Sequence, residues 1–144
     1  MSNEYDVKPD NVTKGYMKGA VTINGKEEPF ESDYVYRDEM QGSLRFFAHM
    51  TDGFPARSVI SVQLKDKDAK SGSYEFNHPM VQYFSYRPLR GGGEDGLNAT
   101  KGHLDLTRTD DPEPVIAGTL EFWTKDNTRT FMIKVEFELT GVNR

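Results

Sequence analysis

In the stretch DKDAKSG, residues 66–72, the carboxylates of Asp66 and Asp68 and the hydroxyl of Ser71 are spaced to offer oxygens to calcium. A full EF-hand loop carries further ligands and ends on a glutamate, which this stretch lacks, so an ordinary solubilising turn is the competing reading. The three histidines, His49, His78 and His103, fall on separate segments with no His-x-His or His-x-x-x-His pair. A metal or hydrolytic centre would need the fold to bring them together. No Gly-x-Ser-x-Gly elbow occurs, and Ser71 and Ser73, although near His78 in the chain, lack the oriented base and carboxylate that acyl transfer requires. Cysteine is absent, which removes disulfides, thiolate metal sites and thiol catalysis together. The acid pairs Glu27-Glu28 and Asp110-Asp111 sit in turn-like or edge contexts, where solvent keeps carboxylates ordinary. The expectation is no catalytic residue, no cofactor and no metal beyond the weak calcium candidate.

The stretch RPLRGGGEDG, residues 87–96, has the glycines of a phosphate-cradling loop. Such a loop leads into a helix whose first amides face the anion. Here LNATKGHLDL follows and reads as loop and then strand; the Lys-Ser/Thr pair is missing, and Glu94 and Asp95 would repel an anion. The triplet is read instead as a slack connection between strands, with its arginines available to a ligand or partner. Just before it, HPMVQYFSYRP (78–88) is the richest aromatic segment. Alternation puts Tyr83 on one face and Phe84 and Tyr86 on the other, so one face belongs to the core. The other would show aromatic surface beside Arg87 and Arg90, a composition favoured at binding sites. Tyr83, Tyr86, Arg87 and Arg90 are therefore the candidate binding residues. A strand covered on both sides, in one version by the N-terminal arm, is the structural alternative.

The elements that must position these residues are strands. In 131–140, Phe131, Ile133, Val135, Phe137 and Leu139 point one way and Met132, Lys134, Glu136, Glu138 and Thr140 the other, a period of two that no helix reproduces. The same alternation sets Leu44, Phe46, Ala48 and Met50 against Arg45, Phe47 and His49. It sets Ile60, Val62 and Leu64 against Ser61, Gln63 and Lys65. Leu104 and Leu106 oppose His103, Asp105 and Thr107, and Ile116, Leu120 and Phe122 oppose Glu121 and Trp123. Asn24-Gly25 predicts a two-residue type I′ hairpin, residues 125–128 a tight loop before the last strand, and the prolines of DDPEP (110–114) a strand end. At most one turn of helix fits, in 32–42. A faint echo joins GSYEF (72–76), GHLDL (102–106) and GTLEFW (118–123); strands of one antiparallel sheet converge on such patterns without duplication. About eight or nine short strands with turn signals roughly every ten residues predict an all-β, single-domain antiparallel β-sandwich or flattened barrel over 13–144, preceded by a loose arm at 1–12.

Four segments in order, V-x-I-N-G at 21–25, S-G-S-Y at 71–74, G-x-L-x-L-T at 102–107 and I-A-G-T-L-E-F at 116–122, followed by the long final strand, resemble small all-β bacterial proteins of uncharacterised, lipoprotein-like families. The resemblance covers roughly residues 16–142. It implies a sandwich- or barrel-like domain and no transferable catalytic residues. The chain departs from the lipoprotein members in lacking a leader and the lipid-bearing cysteine.

Eighteen basic residues against 23 acids leave a net charge of −5, and no basic cluster exceeds two residues, so nucleic acid and anionic membrane are not expected as partners. The opening MSNEYDVKPDN is polar, and no apolar run is long enough to span a bilayer as a helix. The chain as written reads as cytoplasmic, with export of a chain that has lost its leader as the alternative. The sequons at Asn11 and Asn98 are then incidental. The leading expectation is a non-catalytic binding or protein-interaction module, with a protein or small-molecule partner and possible homo-oligomerisation through a strand face or edge. The alternative is a carrier of a small hydrophobic ligand with an interior pocket. A hydrolase assembled from converging histidines and acids is a third.

Overall fold

The computed structural model describes residues 11–51, 57–88 and 96–144. Eleven strands follow in chain order: β1 (Lys14–Ile23), β2 (Lys26–Glu31), β3 (Tyr34–Asp38), β4 (Leu44–Thr51), β5 (Arg57–Leu64), β6 (Gly72–Glu75), β7 (Val81–Arg87), β8 (Leu97–Asn98), β9 (Lys101–Thr109), β10 (Val115–Lys125) and β11 (Thr130–Thr140). They form two antiparallel sheets, ordered β2-β1-β11-β10-β9-β6 and β3-β4-β5-β7-β8, stacked as a sandwich and not closed into a barrel. There are more strands than eight or nine because two carry no clean alternation. Residues of β3 are buried or half-buried on both faces, and β8 is two residues long. In 32–42 the chain makes β3 and then a single 3-10 turn at Met40–Gly42.

The alternation of β11 is realised in full: Phe131, Ile133, Val135, Phe137 and Leu139 are buried, while Lys134, Glu136 and Glu138 face solvent. Rings cross between the sheets, Phe46 of β4 on Phe137 of β11 at 5.0 Å and Phe84 of β7 on Phe122 of β10 at 6.0 Å. Burying each such side chain contributes roughly 1.5–3 kcal/mol, so the aromatic interior holds the sandwich together. A second, smaller cluster of Tyr36, Phe47 and Val59, with Tyr34 against it, lies on the outer face of the five-stranded sheet.

Turn chemistry fixes the ends of the sandwich. Asn24 and Gly25 both take positive φ, 50° and 83°, between paired Ile23 and Lys26, which is the type I′ geometry. The Asn24 carboxamide oxygen then accepts the Thr130 amide at 2.8 Å, tying this turn to β11. The β10–β11 loop closes on Asp126, whose carboxylate accepts the amides of Thr128 and Arg129 at 2.9 and 2.8 Å and the Arg129 guanidinium at 2.7 Å. Those backbone and guanidinium donors lower the carboxyl from 3.8 to about 2. A depressed folded pKa means stability present above about pH 4 and lost as pH falls toward 2. Melting curves should therefore show Asp126→Asn less stable than the parent near neutrality, with the gap closing between about pH 4 and 2. A gap independent of pH would refute this account.

The free edges are blunted. Edge strand β2 carries Pro29 and three glutamates, and edge strand β6 is four residues long. The edge of β3 is covered by both ends of the described domain. Asn11 Nδ2 donates to Val35 O at 2.8 Å, Arg37 N donates to Thr13 Oγ1 at 3.1 Å, and Asn143 N donates to Arg37 O at 2.8 Å. Asn143 Nδ2 further donates to Asn11 Oδ1 at 2.7 Å, so the first sequon's carboxamide is part of this clasp.

Candidate functional site

Of the four candidate binding residues, Arg90 lies outside the described residues, as does most of the glycine-rich stretch. Tyr83 and Arg87 are half-buried on the outer face of β7, whereas Tyr86 turns inward with Phe84 and is 3% exposed. The inner and outer members therefore do not share a surface. The outer face is not an open aromatic patch either, because Tyr36, Phe47, His49, Val59 and Ser61 on it are all buried.

The calcium candidate resolves into a self-contained turn. Asp66 Oδ1 accepts the Asp68 amide at 2.8 Å, Asp68 pairs with Lys67 at 3.4 Å, and Ser71 Oγ accepts the Arg108 amide at 2.8 Å. The Lys67 and Ala69 carbonyls of this turn accept the Arg108 guanidinium, the latter at 3.1 Å. Among the described residues no group of three or more His, Asp or Glu side chains could hold a metal.

The histidines stay apart. His49 is buried on the outer face of β4 and stacks on Tyr34 at 4.6 Å; His78 meets the Tyr74 ring edge-on at 5.2 Å and accepts the Met80 amide at Nδ1. His103 lies 3.4 Å from Asp105 on the opposite outer face of the molecule, at 37% and 53% exposure. Ser73 pairs in register with Asp105, yet the trio lies on an outer sheet face where His103 and Asp105 stay open to water.

Two features emerge that no motif marked. The first is a cleft of about 510 Å³ between the sheets, at the end where β1 turns into β2 and where β4 and β7 finish. Val21, Ile23 and Phe30 line it from one sheet, and Met50, Ser58 and Tyr86 from the other. Burial pushes the Tyr86 phenol up, with the Ser58 hydroxyl and the Arg129 cation pulling the other way. Tyr86 packs on Phe131 at 5.3 Å, and Ser58 Oγ is buried without a hydrogen bond of ordinary geometry. Glu28, at the mouth, is half-exposed and pairs with Lys26 at 3.4 Å.

The second is an arginine cluster at the end of the sandwich away from the Asn24–Gly25 turn. Arg37 is wholly buried; its Nη2 donates to Glu39 Oε2 at 3.2 Å, while Nε and Nη1 have no partner among the described residues. Arg108 and Arg144 approach the same carboxylate at 3.7 and 3.5 Å. Burial and then the Arg108 cation pull Arg37 below the usual guanidinium range, and Glu39 opposes both. Parity places Arg37 inside with Val35, but Arg108 is distant in the chain and no spacing announces the meeting. The unpaired Arg37 nitrogens are sealed from solvent, so a ligand does not reach them in this arrangement.

Comparison with family models, with curated proteins and with solved structures finds no match to this chain.

Proposed function

We propose that the protein is a non-catalytic binding domain whose ligand is a small, largely apolar molecule taken up between the two sheets. The cleft carries this reading. Its volume of about 510 Å³ falls within the ~300–1,000 Å³ typical of ligand pockets, whereas a filled sandwich keeps few voids larger than a water molecule. Its walls are mostly aliphatic and aromatic, with Glu28 and the hydroxyl residues Thr51, Ser58 and Tyr86 as the polar features. Tyr86, singled out in the sequence for its aromatic strand, serves here from the inner face.

A hydrophobic fluorescent probe should bind one per chain. Ile23 is half-buried in the cleft wall, and Ile23→Trp should fill the space and weaken the probe about tenfold, the equivalent of ~1.4 kcal/mol of lost apolar contact. No saturable binding, or a tryptophan variant that binds as well as the parent, sinks the proposal. A second reading, a protein partner on the outer face of β7, rests on Tyr83 and Arg87. Arg87→Ala would then weaken that partner and leave the probe unaffected.

A further inference from the structure

The geometry points to an amphiphilic amine as the ligand of this cleft: an apolar tail between the sheets and an ammonium group at Glu28. The inference rests on the cleft being the binding site. Val21 and Glu28 are register partners on β1 and β2, so they share one face of the sheet, and Phe30, two residues on, is buried on that face. The inner face of β2 thus presents a carboxylate beside apolar neighbours. Among the described residues lining the cleft, Glu28 is the only one charged at neutral pH.

Two cations nearby, Arg129 and Lys26, are already committed or held loosely. Arg129 is paired with Asp126 at 2.7 Å and lies over the Phe131 ring at 5.0 Å. Lys26 reaches Glu28 at 3.4 Å with its own side chain 81% exposed, so this ammonium is held by one contact from the solvent side. A ligand ammonium arriving from within the cleft replaces that contact and meets less water. A carboxylate head at the same place would face Glu28 and be repelled. An inward acid on an edge strand also discourages strand pairing, a role that gives no preference among ligand heads, so head-group selectivity separates the two.

Calorimetric titrations of the full chain near neutral pH with octylamine, octanol and octanoate provide the test. Octylamine should bind about fivefold tighter than octanol, the effect of one partly exposed ion pair, and octanoate should bind weakest. The near-isosteric Glu28→Gln should bring octylamine down to the octanol level, so that the amine-to-alcohol affinity ratio falls from about five to about one. Equal affinity for amine and alcohol in the parent, or a preference that survives Glu28→Gln, overturns the amine assignment while the cleft reading stands. Failure of all three to bind, or binding indifferent to Ile23→Trp, overturns both.

Discussion

Glu39→Ala should destabilise the protein by about 3–5 kcal/mol, because it strands a fully buried guanidinium. Among the described residues Glu39 is the one carboxylate hydrogen-bonded to Arg37, at 3.2 Å, and two Arg37 nitrogens have no described partner. Asp110 cannot take its place, being 67% exposed and held by Arg108 Nε at 3.0 Å. Arg37→Met behaves differently. It removes the buried charge and its orphaned donors, and Glu39, 17% exposed, retains Arg108 and Arg144 within 3.7 and 3.5 Å. Replacing a buried ion with an apolar side chain of similar volume is often neutral or stabilising. The double variant should therefore resemble Arg37→Met, giving a coupling energy of about 2 kcal/mol or more in a double-mutant cycle. Denaturant unfolding measures all three. A cost below about 1 kcal/mol for Glu39→Ala, or additive single effects, would show that Arg37 is hydrated and not sealed in.

What alternation can reveal explains why the strands were readable and the two clusters were not. Period two assigns parity, and parity was right along β11, β10 and β9, where one face meets the core and the other meets water. It also placed Tyr86 opposite Tyr83. It says nothing of what stands above a face, so the burial of Phe47 and His49 on the outer side of β4 had no sequence signal. Nor does it flag a charged residue at an inward position. Arg37 follows Tyr36 in a short strand whose two faces are both covered; Glu39 pairs with it from two residues on, but Arg108 reaches that carboxylate from a distant segment. In the same way, Asp66 and Asp68 have the composition of ligands, but the local bond from the Asp68 amide to Asp66 spends one carboxylate on the turn. The cleft is the least legible feature. Its walls come from both sheets, most wall residues other than Glu28 have the composition of ordinary core, and a volume left between elements has no local pattern.

The binding reading and the folding of the chain meet at the same end of the molecule. Strands β1 and β2 are held there by the Asn24–Gly25 turn and its bond to Thr130, so one wall of the cleft is braced against the central hairpin. That bracing keeps Val21, Ile23 and Glu28 in place before any ligand arrives, which limits the ordering cost of binding. Strand β2 lies at the edge of its sheet, and no further described strand pairs beyond it.

Gly102→Ala and Gly118→Ala should each cost about 3–5 kcal/mol or prevent folding, whereas Gly72→Ala should be neutral or stabilise by ~0.4–1 kcal/mol. The three glycines open similar stretches of sequence, GSYEF, GHLDL and GTLEFW, and nothing in the sequence ranks them. Their backbones do. Gly118 has φ +150° and faces inward between Leu106 and Phe137, where an added Cβ would lie 1.8 Å from the Asp105 carbonyl oxygen. Gly102, φ +134°, would place a Cβ 2.2 Å from the Glu121 oxygen and 2.5 Å from the Phe122 Cα. Both contacts are with a neighbouring strand's backbone, which cannot swing aside as a side chain would. Relief would require parting β9 from β10, in the sheet that carries half the core. Gly72 sits at the start of edge strand β6 with nothing within 4 Å of a built Cβ and no positive φ. There, alanine chiefly narrows the unfolded ensemble. Unfolding midpoints of the three alanine variants, taken side by side, decide the matter: equal effects would mean that these glycines are compositional and not required by the backbone.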